Sequence, residues 1–463
     1  MMDFVVRPAA HPLRGVVRVP SDKSIGHRAV MFAALAEGTS TIRRFSFGED
    51  NVSTLRCFEA MGVAHEVVEA PVFPKGGRIR VHGLGLFGLK MPVDGRPLDC
   101  GNSGTTMRLL SGLLAAQAFG STLVGDASLS KRPMRRVLEP LRARGAHCRG
   151  APHPKKDDET APIRIAPLIE GEFLGPSEIE LAVASAQVKS ALLLSGLYAH
   201  GVTVVKEPTL SRDHTERMLE LAGVPLRRVG SLVELDPAGW DGCIAPFDLT
   251  VPGDPSAAAF LVVAANLVEG SVVRIVDVGV NPTRTGALDV LRAMSAGAQI
   301  VPKGEEGAEP IATLDAMGAV DANGVGMVAA NVGGELVPRA VDEIPILCVA
   351  AACAKGTTVI RDAAELRVKE SDRLAVMAEV LRAFGVEARE LPDGLEIVGK
   401  PQGKLRAATV DAHDDHRIAM SAAVLALRAD GESRVRGVDN VATSFPGFAR
   451  VLTDLGAEIL ETP

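Results

Sequence analysis

Two kinds of hydrophobic pattern alternate along the chain. Stretches rich in Ala and Leu with few charges predict buried helices, and short β-branched runs between them predict strands. The first set reads RAVMFAALAEG, TSTIRRF, NVSTLRCFEAMG and VAHEV. This order predicts a unit in which a helix, a strand, a second helix and a further strand follow one another.

The same unit recurs six times along the sequence. Later copies begin at MRLLSGLLAAQAFG, KSALLLSGLYAHG, AAAFLVVAANLVEG, IPILCVAAACAKG and IAMSAAVLALRADG. A glycine is predicted to end the second helix of each copy in a left-handed conformation, at Gly62, Gly145, Gly223, Gly297, Gly385 and Gly456. Such regular self-similarity indicates an α/β fold built by repetition rather than a single doubly wound sheet.

The repeat count suggests a division of the chain into two domains of three units each. The third copy ends near Trp240, and a new block starts after Pro246. We therefore predict a first domain over residues 20–246 and a second over 247–463. Residues 1–19 lie outside the six units, contain a strand-like run and are predicted to pack on the second domain.

Polar and charged residues precede the Ala/Leu-rich helices. Helix N-termini present unpaired N–H groups and a partial positive charge, so cations and small residues there favour anion binding. Each such site alone is more often an ordinary helix cap, but repeat geometry places equivalent loops together and so favours one shared cleft. The helix starts contribute Lys23, Ser24, Arg28, Gly104, Arg108, Ser185, Gln187, Lys189, Asp342, Glu343, His416 and Arg417.

The loops before the second helices add further cations. They contain Arg132, Arg212, Arg284 and the stretch RVKESDR, which covers residues 367–373. A helix beginning near Lys369 would place Lys369 and Arg373 on one face, with Glu370 beside them. An isolated charged run of this kind is usually a solvated helix face, but here it has counterparts in the other units.

Composition excludes several classes of function. A formal charge of -7, with one Trp and one Tyr, argues against a nucleic-acid-binding protein. Six scattered cysteines without paired spacing fit reduced thiols of the cytosol. No apolar run approaches the roughly 18 residues that a membrane span needs, and we see no signal-peptide core. We therefore expect a cytoplasmic protein with neither membrane nor nucleic-acid partners.

The segment from His413 to His416 contains possible metal ligands. The adjacent Arg417, however, would repel a divalent cation bound by its His and Asp residues. We therefore expect neither a metal nor another cofactor.

Eight motifs, in order, resemble one known family. They are PSDKSIGHR, GNSGTTMR, DASLSKRPM, ASAQVKS, SRDHTE, VDEIP, RVKESDR and DDHRIAM. Together they resemble 5-enolpyruvylshikimate-3-phosphate (EPSP) synthases, especially the bacterial subgroup with ASAQVKS and NPTRTG. The resemblance implies two inside-out α/β domains, each of three βαβαββ-type units, with the active site between them. It also implies transfer of the enolpyruvyl group of phosphoenolpyruvate to the 5-hydroxyl of shikimate 3-phosphate, releasing phosphate, in aromatic amino acid biosynthesis.

The resemblance also implies residue roles. Shikimate 3-phosphate would contact Lys23, Ser24, Arg28, Ser185, Ala186, Gln187, Arg212, Asp342 and Lys369. Phosphoenolpyruvate would contact Lys23, Gly104, Arg132, Gln187, Arg373 and Arg417. Asp342 would accept the proton of the 5-hydroxyl, Glu370 would donate one to the methylene carbon, and Lys23 would complete the catalytic set. We expect a monomer that glyphosate inhibits in the phosphoenolpyruvate position, because Gly104 leaves room where tolerant members carry Ala.

Three positions depart from the pattern of many family members. Ala186 replaces a Ser, SRDH replaces SKPY, and Thr443 replaces a Lys. The first two would alter substrate contacts, and the third removes one cation near phosphoenolpyruvate.

Other functions were also considered. A UDP-N-acetylglucosamine enolpyruvyl transferase shares the fold and the donor, but carries a reactive Cys where this chain has DASLSKRP and lacks RVKESDR. A non-catalytic ligand-binding relative is the alternative outside enzymes. An RNA 3'-phosphate cyclase would need a nucleotide site, and we find none in the sequence.

Overall fold

The computed structural model describes residues 2–319, 326–401 and 404–463. Two strands come first: β1 (Asp3–Val6) and β2 (Arg14–Val17). The first unit contains α1 (Lys23–Leu35), β3 (Glu37–Phe45), α2 (Glu49–Ala60), β4 (Ala64–Val72) and β5 (Gly76–Leu84). The second contains β6 (Leu98–Asp99), α3 (Gly104–Leu114), β7 (Ser121–Val124), α4 (Arg135–Ala143), β8 (Cys148–Pro152) and β9 (Glu159–Ile165).

The third unit is followed by one extra strand. The unit contains β10 (Ser177–Glu180), α5 (Ala186–Gly196), β11 (Thr203–Lys206), α6 (His214–Leu221), β12 (Leu226–Val229) and β13 (Leu232–Leu235). The extra strand is β14 (Asp248–Thr250). The fourth unit contains α7 (Pro255–Leu267), β15 (Val272–Gly279), α8 (Gly286–Ala293), β16 (Ala298–Glu306) and β17 (Glu309–Met317).

The last two units complete the chain. The fifth contains β18 (Asn331–Val332), α9 (Leu336–Ala340), α10 (Ile344–Ala352), β19 (Thr357–Ile360), α11 (Arg373–Ala383), β20 (Glu387–Leu391) and β21 (Gly394–Val398). The sixth contains β22 (Thr409–Asp411), α12 (His416–Ala426), β23 (Ser433–Arg436), α13 (Phe448–Asp454) and β24 (Ile459–Thr462).

Each unit contributes to one four-stranded sheet. In the third unit the strand order is β10-β11-β13-β12, and the second and fifth units repeat it. The first pair of strands is parallel and the remaining pairs are antiparallel. The second, third and fifth units are thus of βαβαββ type, and the other three complete the same four-stranded sheet with β14, β2 or β1 from elsewhere in the chain. This architecture confirms the predicted fold class.

Strands are exchanged between distant parts of the chain. β2 pairs with β15 of the fourth unit, with Val17 opposite Ile275, while β14 pairs with β3 of the first, with Leu249 opposite Ile42. β1 lies between β23 and β24 and is antiparallel to both. The chain therefore passes between its two halves twice, between β2 and α1 and between β14 and α7.

The first helix of each unit is buried because it is apolar on all sides. In α7, residues 256–267 are all buried, Pro255 occupies the first turn, and the Asp254 side chain accepts a hydrogen bond from Ser256 N at 2.8 Å. By contrast, β4 is exposed along most of its length. Helices inside and sheets outside give the inside-out arrangement.

The buried apolar residues form two clusters. One contains residues between Ile25 and Val251. The other combines Phe4, Val6, Leu13 and Val19 with residues from 257 to 459. The division at 246/247 stays a prediction; β14 follows that point in the chain, yet its Leu249 packs in the first cluster.

The glycines predicted to end the second helices adopt positive φ in all six units, for example 92° at Gly62 and 108° at Gly456. That prediction is confirmed. Among the helices of the described segments, none is both long and apolar enough to cross a bilayer.

Candidate active site

A cavity of about 1250 Å³ lies where the two halves of the chain meet. Every substrate-contacting or catalytic residue predicted from the resemblance lines it. The first three units supply Lys23, Ser24, Arg28, Gly104, Arg132, Ser185, Ala186, Gln187 and Arg212. The last three supply Asp342, Lys369, Glu370, Arg373 and Arg417. The structure thus brings these residues together, while their individual roles stay predictions.

Capped helix N-termini bring several of these residues to the cavity. The side chain of Asp22 accepts a hydrogen bond from Ile25 N at the start of α1, and Ser103 does the same for Thr106 N at the start of α3. Ser185 and Asp415 cap α5 and α12. Each cap satisfies one N–H group and fixes the direction of its helix, so that the first turn faces the cavity.

Asp342 lies among cations from both halves of the chain. Arg212 donates a hydrogen bond to its carboxylate, Arg373 Nη1 lies 3.5 Å from Oδ1, and Arg417 Nη2 lies 3.7 Å from Oδ2. Burial alone would raise the pKa of Asp342, but Arg212 and Arg417 hold that pKa well below its usual range. Asp342 is therefore ionised and able to accept a proton.

Glu370 has a similar environment. Arg373 Nη2 lies 2.6 Å from Oε2, and Arg132 Nη1 lies 3.5 Å from Oε1. Burial favours the protonated form, but Arg373 and Arg132 hold the pKa of Glu370 well below its usual range. The protein's own charges thus keep Glu370 ionised, and only additional negative charge from bound anions would raise its pKa toward that of a proton donor.

The cations of the cavity have carboxylate partners. Lys23 Nζ lies 2.8 Å from Asp50 Oδ2, Lys369 Nζ lies 3.3 Å from Glu365 Oε1, and Arg373 Nε lies 2.8 Å from Asp415 Oδ2. These three acids were not among the residues expected from the sequence to bind substrate. Asp50, in the first turn of α2, and Asp415, within DDHR, were detectable from their positions at helix starts. Glu365 gave no signal of its own.

His416 also lines the cavity but is not a cation. Its ring is buried, and burial together with nearby Lys23 lowers the pKa of His416 to about 3. Within the described residues we find no cluster of three or more His, Cys, Asp or Glu side chains placed to bind a metal.

Gly104 and Gln187 lie beside a buried arginine. Arg108 Nη1 donates to Gln187 Oε1 at 2.5 Å, and Gln187 Nε2 donates to Thr105 Oγ1 at 3.0 Å. Burial and neighbouring Arg136 lower the pKa of Arg108 to about 9. A Cβ at position 104 would lie 2.9 Å from Arg108 Nη1 and 3.3 Å from Arg132 Nη1, so a larger residue would displace guanidinium groups.

The predicted helix start in RVKESDR was wrong. α11 begins at Arg373, where Asp372 accepts a hydrogen bond from Ala375 N at 3.1 Å, and Lys369 has extended backbone angles. Asp is a favoured residue at the N-cap of a helix, so α11 starts directly after Asp372. The charge pattern alone did not indicate this start. Lys369 and Arg373 therefore reach the cavity from a loop and a helix, not from one helix face.

Arg367 and Arg284 were expected to contribute to a shared anion site, but in the structure they have other partners. Arg367 turns outward, donating to Leu391 O at 2.7 Å and pairing with Asp372 at 2.8 Å. Arg284 is buried and pairs with Asp22 at 2.8 Å and with Asp254 at 3.1 Å. Its charge is therefore balanced by protein carboxylates.

Six repeated α/β units with four-stranded sheets, two buried helical cores and a cation-lined cleft that holds Asp342 and Glu370 define a protein of the enolpyruvyl transferase class. The sequence profile of the family described as EPSP synthase (3-phosphoshikimate 1-carboxyvinyltransferase) matches residues 8–452. The chain belongs to the EPSP synthase family, which confirms the resemblance.

Individual relatives span nearly the whole chain. A 3-phosphoshikimate 1-carboxyvinyltransferase of Alkalilimnicola ehrlichii is 49% identical over 458 residues, covering 99% of this chain and 96% of its own. One of Methylococcus capsulatus is 48% identical over 447 residues, covering 96% of each. The solved EPSP synthase of Acinetobacter baumannii has a TM-score of 0.84 at 41% identity, covering 100% of both chains. The enolpyruvyl transferase NikO of Streptomyces tendae (TM-score 0.75, 19% identity, 100% and 99% covered) shares the fold.

Proposed function

We propose that this chain transfers the enolpyruvyl group of phosphoenolpyruvate to the 5-hydroxyl of shikimate 3-phosphate and releases phosphate, as a step toward chorismate and the aromatic amino acids. Family membership supports the reaction. The observation that carries the proposal is the convergence of cations from both halves of the chain on one cavity that also holds Asp342 and Glu370.

The cavity suits two phosphorylated carboxylic acids. Each substrate carries about three negative charges near neutral pH, and Arg side chains bind phosphate and carboxylate in bidentate fashion. Shikimate 3-phosphate contacts Lys23, Ser24, Arg28, Ser185, Ala186, Gln187, Arg212, Asp342 and Lys369 in this proposal. Phosphoenolpyruvate contacts Lys23, Gly104, Arg132, Gln187, Arg373 and Arg417. These cations balance the two anions without requiring a metal.

The chemistry needs two carboxyl groups with opposite tasks. Asp342 accepts the proton of the 5-hydroxyl while the hydroxyl oxygen attacks the central carbon of phosphoenolpyruvate. Glu370 gives a proton to the methylene carbon. The resulting tetrahedral intermediate loses phosphate and one proton of the new methyl group, which restores the enol ether. Lys23, shared by both substrate sites, stabilises the negative charge that develops between them.

Glyphosate inhibition belongs to the same proposal. The inhibitor would occupy the phosphoenolpyruvate position. A Cβ at position 104 would lie close to the guanidinium groups of Arg108 and Arg132, which supports the view that glycine is needed there to leave room for the inhibitor. Thr443 is not among the described residues that line the cavity. We also propose that the protein acts as a monomer in the cytoplasm.

A phosphate-release assay tests the reaction. We expect phosphate to appear only when phosphoenolpyruvate and shikimate 3-phosphate are both present, at an unchanged rate in the presence of a chelator. Parallel reactions with UDP-N-acetylglucosamine as acceptor and with each substrate alone are the controls. Release with the nucleotide sugar would favour the alternative transferase, and binding without release would indicate a non-catalytic relative.

A further inference from the structure

A buried ionic cluster outside the cavity joins two of its loops. Lys189 Nζ lies 2.6 Å from Glu207 Oε2 and 2.7 Å from Glu216 Oε1, and all three side chains are fully buried. Burying charges is costly unless they are paired and hydrogen-bonded. Burial opposes a charged ammonium, but Glu216 and Glu207 raise the pKa of Lys189. Lys189 therefore stays charged and compensates the carboxylates.

Glu207 makes further contacts that Glu216 does not. Its carboxylate accepts hydrogen bonds from Ser185 N at 3.1 Å, from Ser211 N at 3.2 Å and from Ser211 Oγ at 2.5 Å. Glu216 Oε1 contacts Lys189, and neither carboxylate oxygen of Glu216 has a hydrogen bond to either loop. Of the two glutamates, Glu207 alone thus connects the start of α5 with the segment before α6, and Lys189 Nζ adds a contact to Ser211 O at 3.5 Å.

Both connected segments reach the cavity. Ser185 caps α5, and residues 185–187 line the cavity at its first turn. Ser211 precedes Arg212, which lines the same cavity and donates to Asp342. The Glu207 carboxylate, with Lys189 beside it, therefore ties the N-terminus of α5 to the loop that carries Arg212, although neither Glu207 nor Lys189 is among the described residues that line the cavity.

We propose that Glu207, neutralised by Lys189, is a positioning residue for the shikimate 3-phosphate side of the site. This inference rests on the proposed function. Glu207 holds two segments together: the start of α5, which carries Ser185, and the loop that carries Arg212. In this proposal shikimate 3-phosphate contacts both segments at once. The hydrogen bonds and ion pairs of Glu207 involve none of the residues assigned to phosphoenolpyruvate alone, which are Gly104, Arg132, Arg373 and Arg417.

Glu207→Gln tests this role with a side chain of equal size. The amide cannot accept from both backbone N–H groups and the serine hydroxyl while facing Lys189, so the two loops should lose their common anchor. We expect the KM for shikimate 3-phosphate to rise about ten- to a hundredfold, from the loss of hydrogen bonds to a charged group. The KM for phosphoenolpyruvate should change about threefold or less, because its other contacts stay in place.

Glu216→Gln is the matched control. It removes a carboxylate from the same cluster, next to the same lysine, without removing a hydrogen bond to either loop, and burial raises the pKa of Glu216. Both KM values should stay within about twofold of wild type. Circular dichroism and thermal unfolding establish that both variants are folded.

The outcomes separate the two proposals. Wild-type protein that releases no phosphate would refute the proposed function. An active wild type whose two KM values change in parallel in Glu207→Gln, or do not change, would leave that function standing and refute the positioning role. If Glu207→Gln does not fold, Ser211→Ala removes one donor to the same carboxylate. It should raise the KM for shikimate 3-phosphate selectively, and an unchanged value would refute the role.

Discussion

Asp342 shows how single residues in this cavity balance burial against charge. Removing a carboxylate from water favours its protonated form, yet arginines from opposite sides of the cavity keep it ionised. Its depressed pKa means that the carboxylate stays charged as the pH falls from neutrality, until the pH reaches that lowered value. The group is thus held in the form that a proton acceptor requires.

Replacing Asp342 with Asn should therefore remove the base while keeping the shape of the site. We expect kcat to fall about 10²- to 10⁴-fold, the usual contribution of a general base, without an increase in the KM for phosphoenolpyruvate, because the cations around Asp342 remain. Glu379→Gln, on the exposed face of α11, is the control and should keep full activity. Steady-state kinetics decide, and a kcat within threefold of wild type would exclude Asp342 as the base.

At the level of elements, one buried arginine connects the two segments that cross between the halves. Arg284, in the loop before α8, pairs with Asp22, the cap of α1, and with Asp254, the cap of α7. Each cap directly follows a crossing, so the start of both helices depends on the same guanidinium group. From its place in the sequence, Arg284 was expected to help bind an anionic ligand, whereas in the structure its partners are carboxylates of the protein.

Arg284→Met should destabilise the protein strongly, because it leaves two buried carboxylates without a counter-charge. Breaking a buried ion pair in this way costs about 3–5 kcal/mol in the free energy of unfolding. Arg274→Met is the matched control, since its pairing with Asp315 is on an exposed sheet surface and should contribute little. Urea unfolding of both variants tests this, and equal midpoints would contradict it.

For the molecule as a whole, ion pairs across the cleft oppose the repulsion between its cations. Arg212 with Asp342, Arg132 with Glu370, and Arg136 with Glu365 each join the two halves. Clustered cations alone would push the halves apart, but these carboxylates compensate part of their charge. Whether the cleft is open or closed thus depends on the balance between cation repulsion and these ion pairs. A bound anion that contacts both halves would shift this balance toward the closed form.

We expect shikimate 3-phosphate to draw the halves together in solution, because its proposed contacts include Arg212 from one half and Lys369 from the other. Small-angle X-ray scattering should show a smaller radius of gyration with this ligand than without it. Shikimate, which lacks the phosphate, should have a much smaller effect at equal concentration. An identical radius with and without shikimate 3-phosphate would rule out ligand-driven closure.

The sequence by itself determined the repeated unit and the position of its cations. The apolar periodicity of the helices and the glycines at their ends report local burial and local backbone conformation, which the structure reproduces in all six units. The motifs at the helix starts placed the candidate residues, from Lys23 to Arg417, at equivalent loops, and repeat geometry brings those loops together.

Only the tertiary structure decided which distant partners meet. β2 and β14 each pair in the half opposite to the unit that follows them, and β1 completes the sixth sheet, because strand pairing depends on contacts far apart in sequence. For the same reason, the sequence did not show which cations pair with Asp50 and Glu365. A sequence pattern indicates the local burial and backbone conformation of each residue. The charge balance of a cavity depends instead on residues that are distant in sequence and that folding brings together.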